Sequence, residues 1–206
     1  MPTHRAGVAV RNESMVTPYI RPSSRINTAR ATRADGEHLR YRLDVVAGSA
    51  ADVVQSAGGW LYDRAMAGWD VTVLIADHPD ERPLRILGVQ ILDLEYALTT
   101  AWLRPPPQTL AAAADLFDCD SRVRQGVLQA LDQGATEVTL WGQTWPAELD
   151  DTVGLVEHRL SAAARAFKGQ ALAAAGFSTA EIGPIEVFRS RVMSEPAVQA
   201  DLVPAG

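Results

Sequence analysis

The chain contains one cysteine, Cys119. That excludes an internal disulfide and any cysteine-built zinc site. Its neighbours Asp118 and Asp120 disfavour a thiolate, so the residue is read as a small, half-buried apolar group and not as a nucleophile. No apolar run approaches the roughly 20 residues of a membrane helix, so no membrane contact is expected. The N-terminal stretch has no apolar core of the kind a secretory leader carries, which predicts a cytoplasmic protein. Phosphate-binding and nucleophile signatures are missing too. Neither G-x-x-x-x-G-K-[ST] nor G-x-S-x-G occurs, so a P-loop and a nucleophile elbow are both excluded. Lysine is nearly absent, one residue against 18 arginines.

What remains is ordinary globular material. The 206 residues are 47% hydrophobic, enough for one well-buried core. Charge is unevenly spread. Residues 1–42 hold eight arginines against Glu13, Asp35 and Glu37, a net +5 within a chain of −6. Residues 1–38 show no helical or strand periodicity and are rich in Pro, Ser, Thr and Arg, which predicts a disordered basic tail. A single domain is expected over 39–193 and a flexible C-terminal tail over 194–206.

Within the domain the pattern alternates. Tyr41 to Ala47 reads as a strand. Ser49 and Asp52 have the spacing of a helix cap, and the helix they open runs to about Ala67. Gly58-Gly59 lies inside it. Such a pair costs a helix roughly 1 kcal/mol per glycine relative to alanine, so close approach to something, most simply the sheet, is expected. Gly68 ends the helix, and Val71 to Ala76 reads as a central strand, apolar on both faces. Leu84 to Leu94 reads as a third strand bulged at Gly88 and antiparallel to the second, because seven residues are too few for a crossover. An alanine-rich helix is expected over 108–118, and a second from Asp120 or Ser121 to Gln133. Glu137 to Trp141 reads as a strand. A long helix follows, with Val156, Leu160, Ala164 and Phe167 at helical spacing, and a last strand, Ile185 to Val192, at an edge. Helix–glycine–strand joints recur at Gly68, Gly134 and Gly176. The expected fold is α/β, a three-layer sandwich with a mixed, mostly parallel sheet of about five strands.

Three constellations could carry chemistry. The first is the strand-to-helix turn Gly48, Ser49 and Asp52 with Asp77, which ends the next strand. Ligands of open α/β sheets bind beyond the carboxyl ends of strands, and an acidic residue at 77 stands where a dinucleotide-binding unit holds a ribose. The G-x-G-x-x-G pattern fails, however, since Ala50 and Val53 replace its later glycines. The second is Asp77-His78-Pro79-Asp80-Glu81, whose carboxylates and imidazole could meet a divalent cation. With no supporting ligand set elsewhere, it is read as a solvated loop, and no metal is assigned. The third is Trp141 and Trp145 around Gly142, either an interaction surface or a cover for the end of the core.

These observations favour a non-catalytic α/β interaction or regulatory module, with a protein partner or a second copy of the chain as its partner. Two alternatives stay open. One is a small-molecule or nucleotide-binding enzyme with a degenerate site at Gly48, Ser49, Asp52 and Asp77. The other is a nucleic-acid-associated protein making a weak, salt-sensitive contact through its arginine-rich tail. No cofactor follows from the sequence.

Overall fold

The computed structural model describes residues 40–77, 80–100, 106–142, 146–149, 153–179, 182–191 and 202–204. The basic stretch 1–38 lies outside the described residues. Strand β1 (Arg42–Ser49) leads into helix α1 (Ala50–Met66), then β2 (Asp70–Asp77), α2 (Arg82–Ile86), β3 (Gln90–Asp93) and α3 (Leu94–Thr100). Next come β4 (Thr109–Ala113), α4 (Ala114–Cys119), α5 (Ser121–Gln133) and β5 (Glu137–Trp141). The chain continues through β6 (Gly154–Arg159), α6 (Ala162–Ala174), β7 (Ile185–Arg191) and β8 (Val203–Pro204). The eight strands make one sheet in the order β3-β2-β1-β4-β5-β7-β6-β8. The first five pair parallel and the last three antiparallel. The class is the expected α/β sandwich, with more strands than the five foreseen.

The parallel half follows from sequence with little tertiary help. β1 and β2 bury both faces, from Leu43 to Ala47 and from Val71 to Ile75, as central parallel strands must. α1 starts where Ser49 caps it and ends at Gly68, whose φ of 88° is costly for any residue with a Cβ. Gly134 and Gly176 take the same left-handed conformation, so the three joints share one construction. Asp120 caps α5 by accepting from the Arg122 and Val123 N–H groups.

Four expectations are overturned. Residues 84–94 are not one antiparallel strand: α2 and a turn at Gly88 (φ 75°) intervene, and β3 pairs parallel to β2. Starting the strand at Gln90 frees the dozen residues a crossover requires. The alanine run 108–118 is not a helix. Thr109–Ala113 forms β4, buried between β1 and β5, so burial in the sheet overrides alanine's helix propensity. The long helix expected after Pro146 begins only at Ala162, capped by Ser161. Val156, His158 and Leu160, buried at every second residue, belong to β6 and its exit, and their spacing coincides with a helical row. Finally β7 is no edge strand, since it pairs with both β5 and β6. Within the expected C-terminal tail, Val203–Pro204 pairs with β6 and Leu202 is buried. Cys119 is exposed at the end of α4.

α1 and α6 cover one face of the sheet, the face of Phe188 and Glu186. α3 and α5 cover the other, over Val46, Leu74 and Leu110. The core lies on both sides of β1, β2 and β4, and its largest fully buried side chains include Trp60, Phe117 and Phe188.

Candidate functional site at the carboxyl ends of the strands

β1 and β2 end together. Ser49 lies opposite Asp77 in the parallel register. Beside them, a side-chain atom added at Gly48 would meet nothing within 4 Å, so the strand end opens onto free space. Ser49 Oγ accepts from the Asp52 N–H at 3.3 Å, the cap bond that the sequence spacing implied. The Asp52 carboxylate turns away from the cap. Ser56 Oγ donates to its Oδ1 at 3.0 Å, and the indole Nε1–H of Trp141, at the end of β5, donates to its Oδ2 at 3.0 Å. Two candidates 89 residues apart in sequence are thereby joined. Trp141 is buried at the end of the core and also orients a carboxylate. Trp145 and His78 lie outside the described residues.

One turn further along α1 is an arrangement the sequence did not disclose. Glu186, buried on β7, accepts from two N–H groups in the middle of α1: Gly59 N to Oε1 at 2.9 Å and Trp60 N to Oε2 at 2.8 Å. Lys168, the single lysine, donates from Nζ to Glu186 Oε1 and to the Gln55 carbonyl, each at 2.6 Å. Gln55 carries the carbonyl that the Gly59 N–H faces in a regular helix. A carboxylate therefore sits at the start of the second half of α1 and an ammonium at the end of the first half, each on the side the helix dipole favours. Gly59 is required here for closeness. A Cβ there would stand 2.4 Å from one methyl carbon of Leu160 and 2.7 Å from the other. The close approach is to Leu160, the residue leaving β6, while the sheet reaches the same glycine through Glu186 of β7.

A polar cavity of about 540 Å³ adjoins this pair. Its walls include Gln55, Ser56, Lys168, Ser178 and Glu186. Ser56 is thus shared between the cavity and the Asp52–Trp141 cluster. Lys168 uses two of its three N–H groups on the described residues. A second hollow of about 390 Å³, largely apolar, runs between α3 and α5 on the opposite face, away from all four strand-end candidates.

The acidic loop after β2 is occupied by arginines. Hydrogen bonds from the Arg82 guanidinium and backbone hold the Asp80 carboxyl at about 2, and Glu81 pairs with Arg85. At the start of α5, Arg122 bridges Asp120 and Glu95. Its side-chain and backbone hydrogen bonds bring Asp120 to about 2, and it lowers Glu95 as well. Among the described residues, no three His, Cys, Asp or Glu side chains group as a metal would need.

No family model matches the sequence, and no curated protein matches it significantly. Solved structures of similar course do exist. The A40926 pseudoaglycone deacetylase Dbv21 is 16% identical, with a TM-score of 0.49 over 76% of this chain and 99% of that one. A deacetylase of teicoplanin biosynthesis is 14% identical, with a TM-score of 0.49 over 76% and 100%. GalB, the 4-carboxy-2-hydroxymuconate hydratase of Pseudomonas putida KT2440, is 13% identical, with a TM-score of 0.41 over 79% and 100%. These neighbours are enzymes, against the expectation of a non-catalytic interaction module, which is set aside. That expectation rested on missing motifs, and motifs that are missing from a sequence do not show that a fold lacks chemistry.

Proposed function

We propose that this chain is a small-molecule-binding enzyme whose ligand occupies the polar cavity beside α1 and reaches the Ser56–Asp52–Trp141 cluster. The observation that carries this reading is the buried Lys168–Glu186 pair facing a cavity of about 540 Å³, a volume in the range of small-molecule sites. The third N–H of Lys168 offers a donor. Asp52, with one donor on each oxygen, keeps lone pairs for a ligand's hydroxyl or amine. A fixed, acceptor-only carboxylate of this kind can take a proton from such a group. The ligand class is a hydroxyl- or amine-bearing molecule of nucleoside or sugar size. Two carboxylates, Asp52 and Asp77, disfavour a phosphate at the strand ends.

The test is a thermal-shift screen of the full chain against nucleosides, sugars and polyamines. A probe near 100 times its dissociation constant should stabilise the fold by roughly 2.7 kcal/mol. Ser178→Trp, which fills the cavity from an exposed wall position, should abolish the shift, and Asp52→Asn should weaken it. If no probe shifts the transition, or if the shift survives Ser178→Trp, the reading is wrong.

A further inference from the structure

The helical layers of the sandwich are unequal. α1 and α6 reach across β7, placing Glu186 and Phe188 in the interior. On the other face α5 packs over β4 and β5, and Arg191 donates to the Leu131 carbonyl near the end of α5. Beyond that point, among the described residues, no helix covers β7, β6 and β8. Strand alternation sends Ile185, Val187, Leu155 and Val203 to this uncovered face, since Glu186, Phe188, Val156 and Leu202 are buried; Ile185 and Val187 also border the polar cavity. The four are 36%, 49%, 50% and 54% exposed. A solvated face of an antiparallel sheet ordinarily carries polar residues there.

We propose that this face is where two copies of the chain associate about a two-fold axis. The occupant is argued from the pattern of the face itself. Glu157 and Arg159 stand two residues apart on β6, on the same side, and among the described residues neither has an ion-pair partner. Their neighbours across the strand are Val187 and Ile185 respectively. A two-fold axis lying between the sheets, perpendicular to β6 at the level of His158, maps residue 157 of one copy onto the level of 159 in the other. Each Glu157 then faces the other copy's Arg159, and each Val187 faces the other copy's Ile185. The charged pair and the apolar pair become self-complementary about the same axis, the condition an isologous interface must meet.

Sedimentation velocity of the full chain across a dilution series tests this. A dimer that dissociates on dilution is expected. Glu157→Arg and Arg159→Glu, each alone, set like charges opposite one another and should weaken association at least tenfold. The double variant E157R/R159E restores the pairing in reverse and should recover most of it. Because both residues lie on the sheet surface, melting temperatures taken at high dilution should stay close to wild type, which separates loss of association from loss of fold. A chain monomeric at every concentration overturns the proposal. So does a dimer indifferent to the single changes, or a folded double variant that stays monomeric.

Discussion

Removing the carboxylate of Glu186 should destabilise the fold more than removing any other polar side chain described here. Glu186→Ala leaves three buried donors without their acceptor: the Gly59 and Trp60 N–H groups and the Lys168 ammonium. Each buried amide left unsatisfied costs about 1–3 kcal/mol, although the two helix N–H groups can shift partway back to carbonyls of their own helix. The stranded ammonium cannot, and breaking a buried ion pair from one side costs about 3–5 kcal/mol. With the two amides largely re-satisfied the ion-pair term dominates, and a loss of about 4 kcal/mol is expected, a large part of the 5–15 kcal/mol total of a typical domain. Lys168→Met should cost less, about 2 kcal/mol: the Gln55 carbonyl and Glu186 Oε1 both lose the ammonium, but the Glu186 carboxylate keeps two N–H donors. The order follows from the geometry, since the carboxylate serves three donors and the ammonium two acceptors. The double variant Lys168→Met with Glu186→Ala should be more stable than Glu186→Ala alone by about 1–2 kcal/mol. With both side chains gone, Gln55 is free to accept from Gly59 and the helix closes on itself. Urea unfolding of the full chain supplies the three numbers, provided the slope with denaturant is unchanged. A cost below about 1 kcal/mol for Glu186→Ala, or a larger cost for Lys168→Met, would refute this account of the Glu186–Lys168 pair against α1.

Gly59→Ala should destabilise by about 1–2 kcal/mol, because the Leu160 contact outweighs the gain in helix propensity; combining it with Leu160→Ala should remove most of that overlap, as equilibrium unfolding can show. Gly126→Ala, in α5 where an added Cβ meets nothing within 4 Å, should instead stabilise by about 0.5–1 kcal/mol in the same assay. Trp141→Phe keeps the ring and removes the N–H bound to Asp52; a loss of about 1 kcal/mol with a weakened ligand shift is expected, and unchanged binding would separate Trp141 from the site. Asp120→Ala should cost about 0.5–2 kcal/mol near neutrality through the lost cap of α5. Its folded value near 2 lies below that of a free carboxyl, so its contribution is present above about 3.9 and fades as pH falls toward 2. The gap between variant and wild type should therefore narrow across that window in acid titrations of unfolding.

The parts of the fold that could be read in advance are those set by contacts close in sequence. β1, the Ser49 cap, Gly68 and β2 follow from alternation, a hydroxyl three residues before a carboxylate, and a glycine at a left-handed position. The misread segments are those where the deciding contacts are distant. Ala111 to Ala113 prefer a helix in isolation and become a strand because β1 and β5 flank them. Val156 and Leu160 satisfy both periods, and the pairing with β7 selects the strand. β3 was misplaced because its crossover carries a helix of only five residues, too short to leave a periodic trace.

The candidate site divides along the same line. Ser49, Asp52 and Trp141 could be named from the sequence, because each stands at a strand end or a cap. Glu186 and Lys168 could not, since their partners lie 127 and 113 residues away. A signal was nevertheless present. A paired glycine inside a helix is unfavourable unless something must approach its backbone, and a lone lysine in an arginine-rich chain is the exception to the chain's own habit. Arginine presents a planar fork that needs room on both sides, whereas an ammonium is a compact point donor. On the cavity wall between α1 and β7, 2.6 Å from both the Gln55 carbonyl and Glu186, a single compact nitrogen makes both bonds at once. Arginine at 168 should therefore not behave as a conservative exchange, because its planar fork cannot place one nitrogen on both acceptors at this distance; a measurable stability loss is expected in the same urea series. A Lys168→Arg variant as stable as wild type would show that a planar fork, using the cavity space beside α1, serves Gln55 and Glu186 as well as the ammonium does.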